Sequence, residues 1–222
     1  MSKYGRIAIL AGGPSNERDI SLKSGRAVYG ALKRKGLSVS LVELGENYAE
    51  TVKGIDADIV FLALHGKFGE DGTIQKILEE KGTCYTGSGP GASMLAMDKV
   101  ASREIFFRNG LKVPGYNVTG KGAKAAKILE DFSPPFIVKP RNGGSSIGLT
   151  VVRREEELEG ALEKAFCCSE EALIEEYVHG KEITVGIFNE RLLPVVEIVT
   201  KENFYDYNAK YENADTRYVV PA

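Results

Sequence analysis

The residues best suited to chemistry in this 222-residue chain stand beside glycines. Lys139 closes the apolar run Phe136–Lys139, and Arg141-Asn142-Gly143-Gly144-Ser145-Ser146-Ile147-Gly148 follows almost at once. Successive backbone N–H groups in such a loop form an anion-binding concavity, and an ammonium at the strand exit adds charge to the same place. The pattern points to phosphate. It is not a Walker A loop, because G-x-x-x-x-G-K-[ST] is absent and the loop joins strand to strand. A flexible hairpin tip is the plainer reading, but a tip needs one or two special residues rather than this run. Further on, Glu175-Glu176-Tyr177-Val178 ends an apolar stretch, His179-Gly180 turns the chain, and Glu182 opens the next stretch. Carboxylates at a strand end usually mark a solvated edge. Near a phosphate loop they could instead hold the exocyclic amine and ribose hydroxyls of a nucleotide, with backbone groups reading the base.

Two more constellations lie in the first half. Arg6–Leu10 is a short β-branched run that ends at Gly12-Gly13, and Glu17-Arg18-Asp19 then opens a helical pattern. Half a dinucleotide fingerprint is a weak signal, and a tight strand-to-helix turn explains the glycines equally well. A carboxylate in a first helical turn is favoured by the helix dipole. Glu17 also stands at the carboxyl end of an expected parallel strand, where such sheets bind ligands. His65 follows the run Asp58–Leu64 and begins a loop with three glycines in eight residues, His65–Gly72. A tightly shaped loop at a strand end suits ligand contact, and a structural histidine is the alternative.

These groups need elements to hold them. Strands are expected at Arg6–Leu10, Ser38–Leu44, Asp58–Leu64 and Thr83–Tyr85, with helices after Glu17 and over Thr73–Glu80. That order predicts a small α/β domain on a largely parallel sheet, ending near Gly87–Gly91. A helix is expected over Ala92–Phe107, another over Lys121–Phe132 and an acidic one over Arg154–Phe166. Strands over Phe136–Lys139, Leu149–Arg153, Ala172–Val178, Glu182–Phe188 and Leu192–Thr200 predict an α+β arrangement, the last two turning at Asn189-Glu190-Arg191. Lys201–Ala222 shows neither period. Composition narrows the function classes. Lys plus Arg total 29 against 31 Asp plus Glu, so no basic field would draw nucleic acid. The longest apolar run, Ile59–Leu64, is far too short to span a bilayer. No signal peptide is evident, and three cysteines without a C-x-x-C suit a reducing cytoplasm.

Six stretches together resemble the D-alanine–D-alanine ligase family of the ATP-grasp superfamily: AGGPSNERDISLKSG, ALHGKFGEDGTIQ, GSGPGASMLAMDK, FIVKPRNGGSSIG, LIEEYVHGKEITVGI and FYDYNAKY. They run in the family's order along nearly the whole chain. The resemblance implies a Rossmann-like substrate-binding α/β domain at 1–90 and a central α+β ATP-grasp lobe at 91–174. It also implies the start of a C-terminal ATP-grasp lobe, with an active-site closing loop, at 175–222. It implies ATP-dependent ligation of two D-alanines through an acyl phosphate, for peptidoglycan precursors, with Mg²⁺ as cofactor. By resemblance, Glu17 pairs with the ammonium of the first D-alanine and His65 lies beside its carboxylate. Lys99 and Lys139 serve the ATP phosphates, and Ser145 and Ser146 lie in the lid over them. Glu175, Tyr177, Val178 and Glu182 form the adenosine pocket, and Lys210 and Tyr211 belong to the closing loop. Glu17, Ser145 and Tyr211 are linked by hydrogen bonds, and Tyr211, in place of a phenylalanine, favours amide over ester formation.

One departure qualifies the resemblance. The family's chain continues beyond the position of Ala222, and its later strands carry the carboxylate and asparagine ligands of two Mg²⁺ ions and an arginine for the oxyanion. No segment here matches them, so this chain is expected to be an incomplete and poor catalyst by itself. A non-catalytic nucleotide-binding module on the same scaffold is the alternative, and a different ATP-grasp carboxylate–amine ligase is a weaker one. Expected partners are D-alanine and ATP, with no nucleic acid or membrane, and a homodimer is left open.

Overall fold

A computed structural model describes residues 4–200 and 216–222. The chain forms two compact units, Met1–Asn109 and Gly110–Ala222. The first is built on four strands, β1 (Arg6–Gly12), β2 (Ser38–Leu44), β3 (Ile59–Leu62) and β4 (Cys84–Tyr85), in the order β2-β1-β3-β4. Every neighbouring pair is parallel; Ile7 of β1, for instance, sits opposite Val39 and Ile59. Parallel neighbours require crossovers. Two were expected as helices and are found as α1 (Arg18–Arg34) and α3 (Thr73–Lys81). The crossover from β2 to β3 also carries a helix, α2 (Tyr48–Gly54), which the sequence reading missed. It spans seven residues and buries only Val52, too little for a 3.6-residue period to register. One core joins Ala8, Leu10, Leu44 and Val60 of the sheet to Val52, Ile74 and Leu78 of α2 and α3. α1 lies close on β1 because residue 25 is glycine: a Cβ there would stand 2.5 Å from that of Ala11.

The single helix expected over Ala92–Phe107 is two helices, α4 (Pro90–Met97) and α5 (Lys99–Arg108). Asp98 breaks the run. Its backbone is extended, and its carboxylate accepts from the N–H groups of Val100 (2.9 Å) and Ala101 (3.1 Å). Asp is a strong N-cap residue, so it starts a new helix rather than continuing the old one.

The second unit has a four-stranded antiparallel sheet, β5-β8-β6-β7, made of β5 (Tyr116–Gly120), β6 (Phe136–Pro140), β7 (Thr150–Val152) and β8 (Glu171–Glu176). The helix expected over Lys121–Phe132 shrinks to α6 (Ala125–Asp131), and β5 precedes it. α7 (Leu158–Phe166) follows a short 3₁₀ turn at Glu155–Glu157. Phe136, Val138, Ala172 and Ile174 pack with Ile128, Leu158, Ala161, Leu162 and Ala165 in one core. Strand periodicity then turns Ile137, Lys139, Leu173 and Glu175 to the opposite face. The two long strands expected after β8 are each divided, giving β9 (Glu182–Thr184), β10 (Ile187–Phe188), β11 (Arg191–Leu192) and β12 (Val196–Val199). β10 and β11 form the expected hairpin, with Asn189 (φ 47°) and Glu190 (φ 62°) both left-handed at the turn. Such a turn matches the twist of the strands that it joins. β12 lies between β9 and β13 (Arg217–Val219) in a separate antiparallel sheet. The α/β and α+β character read from the sequence is thus present. No helix among the described residues is long and apolar enough to cross a membrane.

Candidate active site

In the first unit, the carboxyl ends of β1 and β3 bring Glu17 and His65 to the same place. Glu17 is the N-cap residue of α1, yet its side chain caps nothing and is 5% exposed. The helix-dipole explanation for this carboxylate therefore does not account for its burial. Ser15 ties the two loops together: its hydroxyl accepts from the Glu17 N–H (3.1 Å) and donates to the His65 carbonyl (2.8 Å). His65 Nε2 lies 3.2 Å from the Ser24 hydroxyl on α1. Gly66 (φ 73°) leaves room for this arrangement, since a Cβ would meet Ser15 Oγ at 2.7 Å and Glu17 Oε2 at 2.8 Å. The rest of the His65–Gly72 loop is held from within. Glu70 accepts from the Gly66 N–H, Asp71 from the Phe68 and Thr73 N–H groups, and Gln75 donates to the Gly69 carbonyl. Gly13 is explained by packing: at φ 89°, its Cβ would stand 1.9 Å from the Phe68 ring. The tight-turn reading of Gly12-Gly13 is therefore the structural one. Lys99 is the first residue of α5, half-buried, and its carbonyl accepts from Arg103 (3.2 Å).

In the second unit, the face of β6 and β8 turned away from the helices lines a cavity of about 690 Å³. That volume lies within the ~300–1,000 Å³ typical of small-molecule sites. Lys139 and Glu175 form an ion pair in its wall, with side chains 14% and 6% exposed. Glu175 is therefore no solvated edge. Glu176 plays a different part, accepting from the Gly115 N–H at 2.9 Å and fastening the chain ahead of β5 to the end of β8. Tyr177, Val178 and Glu182, all singled out from the sequence, line the same cavity. Glu182 stands on β9 opposite Ile198.

The loop after β6 is sharply shaped. Gly143, Ser145, Ser146 and Gly148 all have positive φ, the two serines at 51° and 59°. Non-glycine residues rarely adopt that conformation, and when they do it is held by surrounding structure, often at ligand clamps. Gly148 sits in a cradle in which a Cβ would meet Pro140, Cys168 and the Lys164 carbonyl at 2.9–3.2 Å. Ser146 reaches the cavity wall. Thus the structure gathers Lys139, Ser146, Glu175, Tyr177, Val178 and Glu182 around one cavity. Lys210 and Tyr211 lie outside the described residues.

The sequence reading missed Arg153, His179, Lys181 and Glu197, which also line the cavity. Lys181 pairs with Glu197 at 2.9 Å. Only His179 carried a signal, as the residue after Val178 at the turn. The others come from the edge of β7, from the chain just ahead of β9 and from β12, with no spacing to mark them.

Comparison with known proteins matches both units. A model of the D-ala D-ala ligase C-terminus covers residues 109–222, and one of the N-terminus covers residues 44–88. The D-alanine–D-alanine ligase of Syntrophotalea carbinolica is 42% identical over 217 residues, 98% of this chain and 70% of that protein. That of Geotalea uraniireducens is 41% identical over 220 residues, 99% of this chain and 71% of that protein. The structure of the Bacillus anthracis D-alanine–D-alanine ligase matches with a TM-score of 0.83 and 37% identity, covering 97% of this chain and 71% of its own. The structure of that ligase complexed with ATP gives a TM-score of 0.79 and 32% identity, covering 97% and 70%. The chain spans about 70% of the length of these relatives, and with both family models matched it belongs to the D-alanine–D-alanine ligase family.

Proposed function

We propose that this chain takes part in the ATP-dependent joining of two D-alanines, with ATP in the cavity of the second unit and the first D-alanine at the Glu17–His65 site. The observation that carries the reading is the cavity wall: a buried Lys139–Glu175 pair beside a loop with two consecutive left-handed serines. An ammonium beside a glycine- and serine-rich loop of left-handed residues suits polyphosphate. Tyr177, Val178 and Glu182 at the strand exit suit the base and ribose. The solved Bacillus anthracis relative complexed with ATP supports the same ligand.

The reaction begins with attack of the first D-alanine's carboxylate on the γ-phosphorus, with ADP leaving. The second amine then attacks the acyl carbon, phosphate departs and a proton is lost to solvent. Glu17 holds the ammonium of the first D-alanine, so its carboxylate rather than its amine meets the phosphate. His65, oriented by Ser24, sits beside that carboxylate. Lys139 draws charge from the transferring phosphoryl group, and the loop around Ser145 and Ser146 excludes water that would hydrolyse the acyl phosphate. Lys99, Lys210 and Tyr211 keep the roles that the family resemblance implies. Mg²⁺ is the cofactor that the family implies, but among the described residues no group of three His, Cys, Asp or Glu could hold a metal ion. All three cysteines, Cys84, Cys167 and Cys168, are free, which supports a reducing, cytoplasmic setting.

Calorimetric titration of the chain with ATP tests the reading. Lys139→Ala should weaken binding roughly 10- to 100-fold, the worth of one charge-assisted contact at ~1.5–3 kcal/mol. Unchanged affinity, in a variant that still melts cooperatively, would remove Lys139 from the nucleotide site.

A further inference from the structure

We propose that Arg153 is a base-positioning residue of the nucleotide cavity, acting from one wall together with Tyr177 and His179. The inference rests on the nucleotide reading of the second unit and deepens it. All three residues line the cavity. The Arg153 guanidinium carbon lies 6.0 Å from the centre of the Tyr177 ring. The His179 ring meets the same tyrosine edge-on, with centroids 4.7 Å apart and planes at 79°. Three flat groups thus share one wall.

The guanidinium is available for this role. Glu157, the nearest acidic residue in the hydrogen-bond pattern, is occupied otherwise: it accepts from the Arg153 backbone N–H at 2.8 Å and from the Arg154 side chain at 2.9 Å. No carboxylate among the described residues forms an ion pair with Arg153. The two lysines of the wall differ, since Lys139 is paired with Glu175 and Lys181 with Glu197. A planar and weakly hydrated cation without an ion-pair partner stacks well on aromatic faces. Its place over Tyr177, a residue of the strand exit rather than of the glycine- and serine-rich loop, aligns it with the base and not with the phosphates.

The test is calorimetric titration of the wild-type chain, Arg153→Ala, Arg153→Lys and His179→Ala with ATP, ADP and AMP, each protein first checked for an unchanged melting curve. A base contact is common to all three nucleotides. Arg153→Ala should therefore weaken all three equally, by about 3- to 10-fold for a cation–π contact of this kind. Arg153→Lys should not restore affinity, because it keeps the charge and loses the plane. His179→Ala should produce a smaller loss with the same lack of dependence on phosphate number. A loss that shrinks from ATP to AMP would make Arg153 a phosphate contact and overturn the proposal, as would full rescue by lysine or an unchanged affinity. Failure of the wild-type chain to bind any of the three would overturn the nucleotide reading itself.

Discussion

Lys139→Met removes the ammonium that pairs with a carboxylate the fold has almost removed from water. The Glu175 side chain is 6% exposed and that of Lys139 is 14% exposed, so the carboxylate is the harder of the two to rehydrate. Removing one member of a buried pair typically costs about 3–5 kcal/mol, because the remaining charge loses a counter-charge in a poorly hydrated place. Glu175→Gln removes the carboxylate and keeps the lysine. Its longer, more exposed side chain can swing toward the cavity mouth, so this variant should lose less than Lys139→Met. The double variant removes both charges and should recover most of the loss, giving a coupling of at least ~2 kcal/mol. Because two compact units need not unfold together, a global denaturation curve is a poor assay. Hydrogen exchange at the β6 and β8 amides reports the local opening energy directly. Losses under about 1 kcal/mol in both single variants, or strict additivity in the double variant, would refute the reasoning by showing that the pair behaves as a surface one.

Gly13→Ala should severely destabilise the first unit, since its Cβ would overlap the Phe68 ring and φ is 89°; Gly91→Ala, with nothing within 4 Å, should be neutral or stabilising by about 0.5–1 kcal/mol in thermal melts. Ser24→Ala removes the hydrogen bond to His65 Nε2 and should weaken D-alanine binding about fivefold, the worth of ~1 kcal/mol, while calorimetry shows ATP binding unmoved. The Arg6 backbone N–H, and after it the Arg6 side chain, hold the Asp58 carboxyl below its ordinary value. Its contribution is present above the unfolded-state value and fades as pH falls through the depressed one, so Asp58→Asn should flatten the acid limb of a stability-versus-pH curve, modestly because the pair is exposed. An acid limb that keeps its slope would show that the contact contributes nothing.

Local chemistry determined much of this protein from sequence alone. β-branched runs ending in glycine marked β1 and the phosphate-type loop, and the change from alternating strand and helix to successive strands marked the two architectures. The residues of the cavity wall on β6, β8 and the turn after β8 were legible because strand periodicity and a following glycine depend only on neighbours in the chain. Short or interrupted elements were not legible. α2 buries a single residue, Asp98 splits a helix by capping a new one, and β9 to β12 are too short for alternation to register. The pairing of Lys139 with Glu175 and the placing of Arg153 over Tyr177 were also beyond reach. Each joins residues 24 to 36 positions apart, and only the antiparallel registers of β6 with β7 and β8 bring them together. The sequence determined which groups could do chemistry; the strand registers decided which of them meet, because a contact across a sheet is set by hydrogen bonds between strands and not by distance along the chain.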